Sequence, residues 1–488
     1  MKEGETMAPW LEKDALFSQF PDIWNVEKER VYREAVNTQK KKIVVLDDDP
    51  TGIQTVHDIY VYTDWSRESL LRGMEGKERV FFILTNSRAM SREKTIQVHR
   101  ELAGNLMEAS QKTGNDFLLV SRGDSTLRGH YPVETETLRE GLEAGGMQVD
   151  GEILCPFFEE GGRYTVNDVH YLEIQDGRLQ PVGTSEFAKD SSFSYQSSDL
   201  KEWIEEKYEG KVGRQEVLTV TLEELRAYDI PSIAKKLAGV SDFRKVVVNA
   251  VCYADLKVFV IALMQAMAQG KRYLFRSAAS LVRVLGGIGE RPLLEGKELP
   301  IHKESAAGGL IVAGSHVQRT TAQLEALHKK EGLRFLEFSV IDAADEEKFR
   351  KEIKRIGKEV SRLLQEGESV VFYTSRQRID APGQTQEENL ALSVRISEAV
   401  TEIVAGLPLI PRYLVAKGGI TSSDIGTKAL QVKRAFVPGQ ILPGVPVWIT
   451  GEESRFPGIP YIIFPGNVGT TDALFQVVEK LERETRPE

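Results

Sequence analysis

The sequence is poor in the features that mark specialised protein classes. It has two cysteines in 488 residues, too few for a disulfide framework. Cys155 and Cys252 lie in the apolar stretches GEILCP and VVVNAVC, which read as core, and a reducing cytoplasm is the compartment expected. There is no long hydrophobic run: VFVIALM, starting at Val258, falls far short of the ~18 residues a membrane helix needs, so no membrane partner is expected. The opening MKEGETMAPWLEKD lacks the basic and then apolar regions of a secretory signal. Positive charge is not in excess either, with Lys+Arg 63 against Asp+Glu 73 and a net charge of −10, which argues against nucleic acid as a partner. Two phosphate motifs are missing, GxxxxGK[ST] and a GxGxxG between strand and helix, so neither a Walker-type nor a Rossmann dinucleotide site is supported. His57, His130 and His170 lack metal-ligand spacing.

What is present is ordinary globular composition, 41% hydrophobic and 28% charged, over a length that predicts two domains. Short apolar runs alternate with helical patterns, the signature of parallel sheets covered by helices. Strands are expected at 42–46, 80–84, 116–120, 151–155 and 245–249, and a helix at 255–269. Residues 1–41 read as a polar, helix-rich N-terminal extension, and 176–235, with DSSFSYQSSD at 190–199, as a lid-like insertion on the substrate side. Gly, Pro and charge concentrate at 286–306, a linker composition. Beyond it, strands are expected at 309–314, 369–374, 413–417 and 461–464. Phe349, Ile353, Ile356, Val360 and Leu363 share one helical face. The fold class expected is α/β: two domains, 42–290 and 305–485, with mainly parallel sheets flanked by helices and an active site in the cleft between them.

Ligands of open α/β sheets bind beyond the carboxyl ends of strands, and three strand ends in the first domain carry unusual chemistry. The first runs into Asp47-Asp48-Asp49-Pro50-Thr51-Gly52. Adjacent carboxylates repel and need a cation, a hydroxyl-rich ligand or N–H donors. The other two end in Thr85-Asn86-Ser87-Arg88 and in Ser121-Arg122-Gly123-Asp124-Ser125-Thr126-Leu127-Arg128-Gly129. Guanidinium groups clasp carboxylates in two-pronged fashion, whereas Asp and Ser suit sugar hydroxyls, so a small polyhydroxy acid would satisfy both. Asp124 is the preferred general base, with Asp48 the alternative.

In the second domain three glycine-bearing turns follow strands: Ala313-Gly314-Ser315-His316, Lys417-Gly418-Gly419-Ile420-Thr421 and Pro465-Gly466-Asn467-Val468-Gly469. Glycine at a helix start lets backbone N–H groups approach phosphate, and three such turns suggest a polyphosphate. One domain for a hydroxy acid and one for phosphates imply phosphoryl transfer, with Mg²⁺ bridging nucleotide phosphates. The acidic run 47–49 is an alternative point of contact for that metal.

The segments DDDPTG, TNSR, RGDSTLRG, AGSH, AKGGITSSD, PGVPVW, ESRFPG and FPGNVG together resemble the four-carbon acid sugar kinases, a family once catalogued as a domain of unknown function. The resemblance spans roughly 42–480 and implies a substrate-binding N-terminal domain, a nucleotide-binding C-terminal domain, and transfer from ATP to a terminal hydroxyl of a threonate, erythronate or 3-oxo-tetronate. It implies sugar-acid contacts at Asp48 or Asp49, Arg88, and Arg122, Gly123, Asp124 and Ser125; Arg128 joins them from the strand-end reading. Nucleotide contacts are implied at Ser315, Gly418, Gly419, Ile420, Thr421 and Gly466, with His316 and Asn467 as neighbours in the same turns. The partners expected are therefore a sugar acid and ATP, and a homodimer is compatible with them. Relatives differ at Pro50, carry Ser-Cys-Ser where this chain has Ser315-His316-Val317, and lack 1–41.

Two rivals compete with this reading. Asp47-Asp48-Asp49-Pro50-Thr51 fits the DxDxT pattern of haloacid-dehalogenase-like Mg²⁺-dependent phosphatases, with Asp47 as nucleophile, which leaves the glycine turns and RGDSTLRG idle. The other is a non-catalytic sensor of a sugar acid or nucleotide.

Overall fold

The computed structural model describes residues 8–174, 176–301, 307–314, 317–376 and 386–483, the last range from 392 onward with side chains. The chain is a two-domain α/β protein with mostly parallel sheets flanked by helices. Its compact units are Met1–Val56 with Asp64–Gly289, and His57–Thr63 with Glu290–Glu488. The short segment 57–63 thus belongs with the second unit, an exchange that a linear division at 42–290 does not contain.

Unit 1 is built on seven parallel strands in the order Leu218–Val220, Arg244–Val248, Gly151–Cys155, Tyr273–Ser277, Phe117–Arg122, Lys42–Asp47 and Val80–Leu84. Runs such as Ile43 to Leu46 and Phe81 to Leu84 are buried on both faces, as parallel strands covered on two sides must be. Lys42–Asp47 lies between the next two strands of unit 1, Val80–Leu84 and Phe117–Arg122. The chain therefore leaves its first strand in one direction and later returns to its other side, which makes the carboxyl end of Lys42–Asp47 a topological switch point. Helix Tyr253–Ala268 is apolar almost all round and correspondingly buried.

Residues 8–41 are part of this unit. Leu11–Glu12 pairs with Arg178–Pro181 at the edge of a four-stranded antiparallel sheet completed by Val169–Glu173 and Arg163–Val166. Helix Val26–Thr38 buries Tyr32 and Val36, and the Tyr32 hydroxyl donates to Val284 O at 2.7 Å. The segment 176–235 is not a simple insertion. It supplies an edge strand of the main sheet, with Leu218 in register with Val246, and a core containing Trp203, Leu200 and Ile204. Its polarity comes from the loops between these anchors.

Unit 2 has eight strands in the order Ile59–Tyr62, Arg434–Leu442, Val445–Thr450, Pro460–Phe464, Leu414–Lys417, Leu310–Ala313, Ser369–Thr374 and Leu333–Phe338. The first three pairings are antiparallel and the rest parallel. Helix Glu346–Gln365 buries Phe349, Ile356, Val360 and Leu363, with Ile353 half-buried at the edge of the stripe. Among the described residues no helix is long and apolar enough to cross a membrane.

Candidate functional site

Because Lys42–Asp47 and Phe117–Arg122 pair in register from Lys42↔Phe117 to Asp47↔Arg122, the acidic run and RGDSTLRG start side by side. The aspartates that the sequence crowds together are answered by guanidinium groups. Arg88 Nε and Nη2 donate to the two oxygens of Asp48 at 3.0 and 2.6 Å, and its Nη1 reaches Asp49 at 3.5 Å. Arg122 Nη1 donates to Asp47 Oδ1 at 3.1 Å and stands 3.6 Å from Asp48 Oδ1. Arg128 Nε donates to Asp124 Oδ2 at 2.7 Å. The structure therefore brings together Asp48, Asp49, Arg88, Arg122, Gly123, Asp124, Ser125 and Arg128. The carboxylates of the acidic run are engaged by arginines, and no cluster of three or more metal-ligating side chains occurs among the described residues.

The carboxyls of this cluster titrate differently because their surroundings differ. Burial pushes Asp47 up to about 7, with Asp48 and Asp49 adding to the rise and Arg122 opposing it. Burial also acts to raise Asp49 and Asp124, but their partners outweigh it. Arg88 and the N–H and O–H of Thr51 bring Asp49 below its ordinary value. Arg88, Arg128 and the Thr126 hydroxyl hold Asp124 far below the usual carboxylate range. Asp124 thus stays ionised and is a weak proton acceptor, better suited to orienting a hydroxyl. Asp47 is shielded: a Cβ on Gly52 would stand 2.1 Å from its Oδ2, so Gly52 packs onto the carboxylate where a phosphatase nucleophile would need room.

Loop 123–129 is held from beneath by residues that strand-end reasoning missed. The Arg128 carbonyl accepts from Arg276 Nη2 at 3.1 Å, the Ser125 carbonyl from His170 Nε2 at 2.8 Å, and the Thr126 carbonyl from the Tyr195 hydroxyl at 2.6 Å. A Cβ on Gly123 would lie 1.3 Å from Arg276 Nη1, so glycine is required for the loop to close over this guanidinium. Arg276 Nη1 and Arg122 Nε are buried without a hydrogen-bond acceptor. Arg276 ends the apolar run YLF, so the rule that singled out Arg88 and Arg122 would also have found it once 273–277 was read as a strand. His170 is a structural residue, pushed down to about 4 by burial, with Nδ1 2.9 Å from Thr165 Oγ1. His130 Nε2 lies 2.9 Å from Met90 O, and His57 Nδ1 lies 2.7 Å from Asp58 Oδ2.

In unit 2 the strands preceding the three glycine turns are adjacent and parallel, Pro460–Phe464 beside Leu414–Lys417 beside Leu310–Ala313, so the turns lie along one edge. Gly418 N donates to Phe464 O at 2.8 Å. The buried Lys417 Nζ donates to Pro465 O and Gly466 O at 2.6 and 3.1 Å, tying one turn to the next. Arg319, Thr320 and Gln323 of helix Gln318–Leu327 clasp the carbonyls of residues 466–470. Gly314 is pressed against Thr421, whose Oγ1 would be 2.5 Å from a Cβ there, while the space beside Gly419 is open. Ile420 is 72% exposed, and Asn467 is exposed on its turn. Ser315 and His316 lie outside the described residues.

With this geometry in place, comparison with known proteins gives two matching family models, a sugar-binding N-terminal domain over residues 43–285 and a nucleotide-binding C-terminal domain over 310–474. Among solved structures, a Haemophilus influenzae protein, HI1011, of the DUF1537 family is 18% identical. The alignment covers 90% of this chain and 100% of that one at a TM-score of 0.61. A Salmonella typhimurium LT2 protein described as a candidate tRNA synthase is 16% identical, with 89% and 98% covered at a TM-score of 0.65. These likenesses show the shared fold. No curated protein matches the chain.

Proposed function

We propose that this chain, which joins a sugar-binding N-terminal domain to a nucleotide-binding C-terminal domain, is an ATP-dependent kinase. Its acceptor is a terminal hydroxyl of a four-carbon sugar acid of the threonate, erythronate or 3-oxo-tetronate type. The observation that carries the reading is the arginine and aspartate cluster at the switch point of the sugar-binding domain, Arg88 with Asp48 and Asp49 and Arg128 with Asp124. Carboxylates accept from sugar hydroxyls and guanidinium groups donate to anionic oxygens, so the chemistry of the cluster suits a hydroxy acid.

Phosphoryl transfer asks mainly for positioning and charge neutralisation. In the sugar-binding domain, Asp48 and Asp49 take hydroxyls and Asp124 orients the acceptor oxygen, its ionised state suiting it to receive a hydrogen bond throughout. In the nucleotide-binding domain, Gly314, Gly418, Gly419, Thr421, Gly466 and Asn467 frame the phosphates, with Ile420 at the rim and Lys417 fixing two of the turns. ATP supplies the phosphoryl group. Mg²⁺ would come with the nucleotide, bridging its phosphates.

The test is an ATP-consumption screen of the full chain over four-carbon sugar acids and their 2- and 3-oxo forms. ADP formation dependent on one acid, with phosphate recovered on that acid, is expected. Acid binding without turnover would instead identify a sensor, and phosphate release from a sugar phosphate without nucleotide would identify a phosphatase.

A further inference from the structure

Beside Arg88, unit 1 contains a pocket of about 490 Å³ that the strand-end motifs leave unexplained, a volume in the ~300–1,000 Å³ range of small-molecule sites. Its wall includes Arg88, Arg92, His130, Phe193 and Lys207, and no aspartate or glutamate. These residues come from four parts of the fold: the turn Ser87–Ala89, the first turn of helix Arg92–Thr113, loop 130–132 after RGDSTLRG, and segment 190–207.

The charge of this wall is only partly compensated. Arg92 makes no hydrogen bond or ion pair among the described residues. Lys207 Nζ donates only to Ser194 O at 2.7 Å, which leaves two ammonium N–H groups to spare. The nearby acids make their hydrogen bonds elsewhere. Glu93 accepts from its own backbone N–H and from Ser91 and meets Arg92 and His130 through charge alone, Glu206 accepts from Gln196 N and Ser197 N and meets Lys207 likewise, and Asp190 lies 3.7 Å from Arg128. Arg88 stands between the two environments, held by Asp48 and Asp49 on one side while forming part of this wall. Phe193 packs edge-on against His130 at 4.9 Å and gives the pocket an apolar side.

We propose that this pocket receives the carboxylate of the substrate. The acid then lies with its hydroxyl-bearing carbons toward Asp48, Asp49 and Asp124 and its charged end toward Arg92 and Lys207. These two residues decide that the ligand is an acid rather than a polyol or an aldose. The proposal rests on the reading that unit 1 binds a sugar acid, and it adds the orientation of that acid and the residues that select it.

The experiment is calorimetric titration of the full chain with threonate and erythronate and with the uncharged tetritols threitol and erythritol, for wild type, Arg92→Gln, Arg92→Lys and Lys207→Gln. Loss of a charge-assisted contact corresponds to about a tenfold or larger weakening, expected for the acids in both Gln variants with tetritol binding unchanged. Arg92→Lys should retain most of the acid affinity. Because Arg92 is exposed, its variants report on binding without threatening the core, and melting temperatures check Lys207→Gln. Unchanged acid affinity in both Gln variants, or an equal loss for acid and tetritol, overturns the carboxylate assignment alone. If no acid binds the wild type, both this assignment and the sugar-acid reading fail. Acid-dependent ATP turnover with an unchanged KM in both Gln variants overturns the assignment and leaves the kinase standing.

Discussion

Asp47 and Asp124 face one cluster of arginines yet are shifted in opposite directions, and the signs have separate consequences. Asp47 is raised from an ordinary 3.8 to about 7, so the folded state prefers its protonated form. Its contribution is most favourable below about pH 4, declines as pH climbs to 7, and is level above. Asp124 is lowered, so what it contributes is present above about pH 4 and is lost on acidification. Asp47→Asn is therefore expected to flatten any fall in melting temperature between pH 4 and 7, and Asp124→Asn to flatten part of the acid-side loss, both read from thermal melts across a pH series. Asp124→Asn should also lower turnover with little change in acid binding, which initial-rate kinetics would separate. Gly123→Ala sets a methyl group against the buried Arg276 and should cost about 1–3 kcal/mol of stability while weakening acid binding through a displaced loop. Denaturant unfolding and titration of the same protein check both effects.

At the scale of elements, the glycine turns depend on what ties them together. Lys417→Met removes the amine that bonds Pro465 O and Gly466 O, and nucleotide affinity should fall by about tenfold, measured by titration with a non-hydrolysable ATP analogue. Burial, with Arg319 adding to it, pushes the Lys417 amine down to about 7. The unfolded chain therefore binds the extra proton between pH 7 and the ordinary 10.5, and stability contributed here rises with pH across that window. The Met variant should lose that rise.

The elements legible in the sequence were those buried on both faces. Apolar runs such as KIVVL, VFFIL and DFLLV have few alternatives to a parallel strand, and their polar ends advertise Asp47 to Asp49, Arg88 and Arg122 at once. Leu333–Phe338 was hidden because it is an edge strand, half-buried, with Arg334 and Glu337 interrupting the apolar pattern. Leu218–Val220 was too short to stand out within a polar segment. Hidden strands conceal the residues on them, and Arg276 was lost with Tyr273–Ser277. Lys207 was illegible for a different reason: it does not follow a strand, and only tertiary packing carries segment 190–207 to Arg88.

For the whole molecule, a net charge of −10 offers no long-range attraction to an anionic acid or nucleotide, so under the proposed function capture would fall to local arginines, Lys207 and backbone turns. The division into units also carries a prediction. A fragment starting at 290 lacks Ile59–Tyr62, which pairs with Arg434–Val437, and would expose that strand as an open edge. Such a fragment should aggregate at micromolar concentration in light scattering, and one with residues 57–63 joined to it should remain dispersed.

The same borrowed strand imposes an order on the making of the protein. Residues 57–63 leave the ribosome early, but their partner Arg434–Leu442 comes hundreds of residues later, a delay on the order of 20–80 s at ~5–20 residues per second. Unit 1 must therefore be able to close around a gap in its own sequence while this segment waits for Arg434–Leu442. The four apolar and aromatic residues Ile59 to Tyr62 are thus a point at which a chaperone would hold the nascent chain, and slowed translation between 63 and 434 would lengthen that exposure.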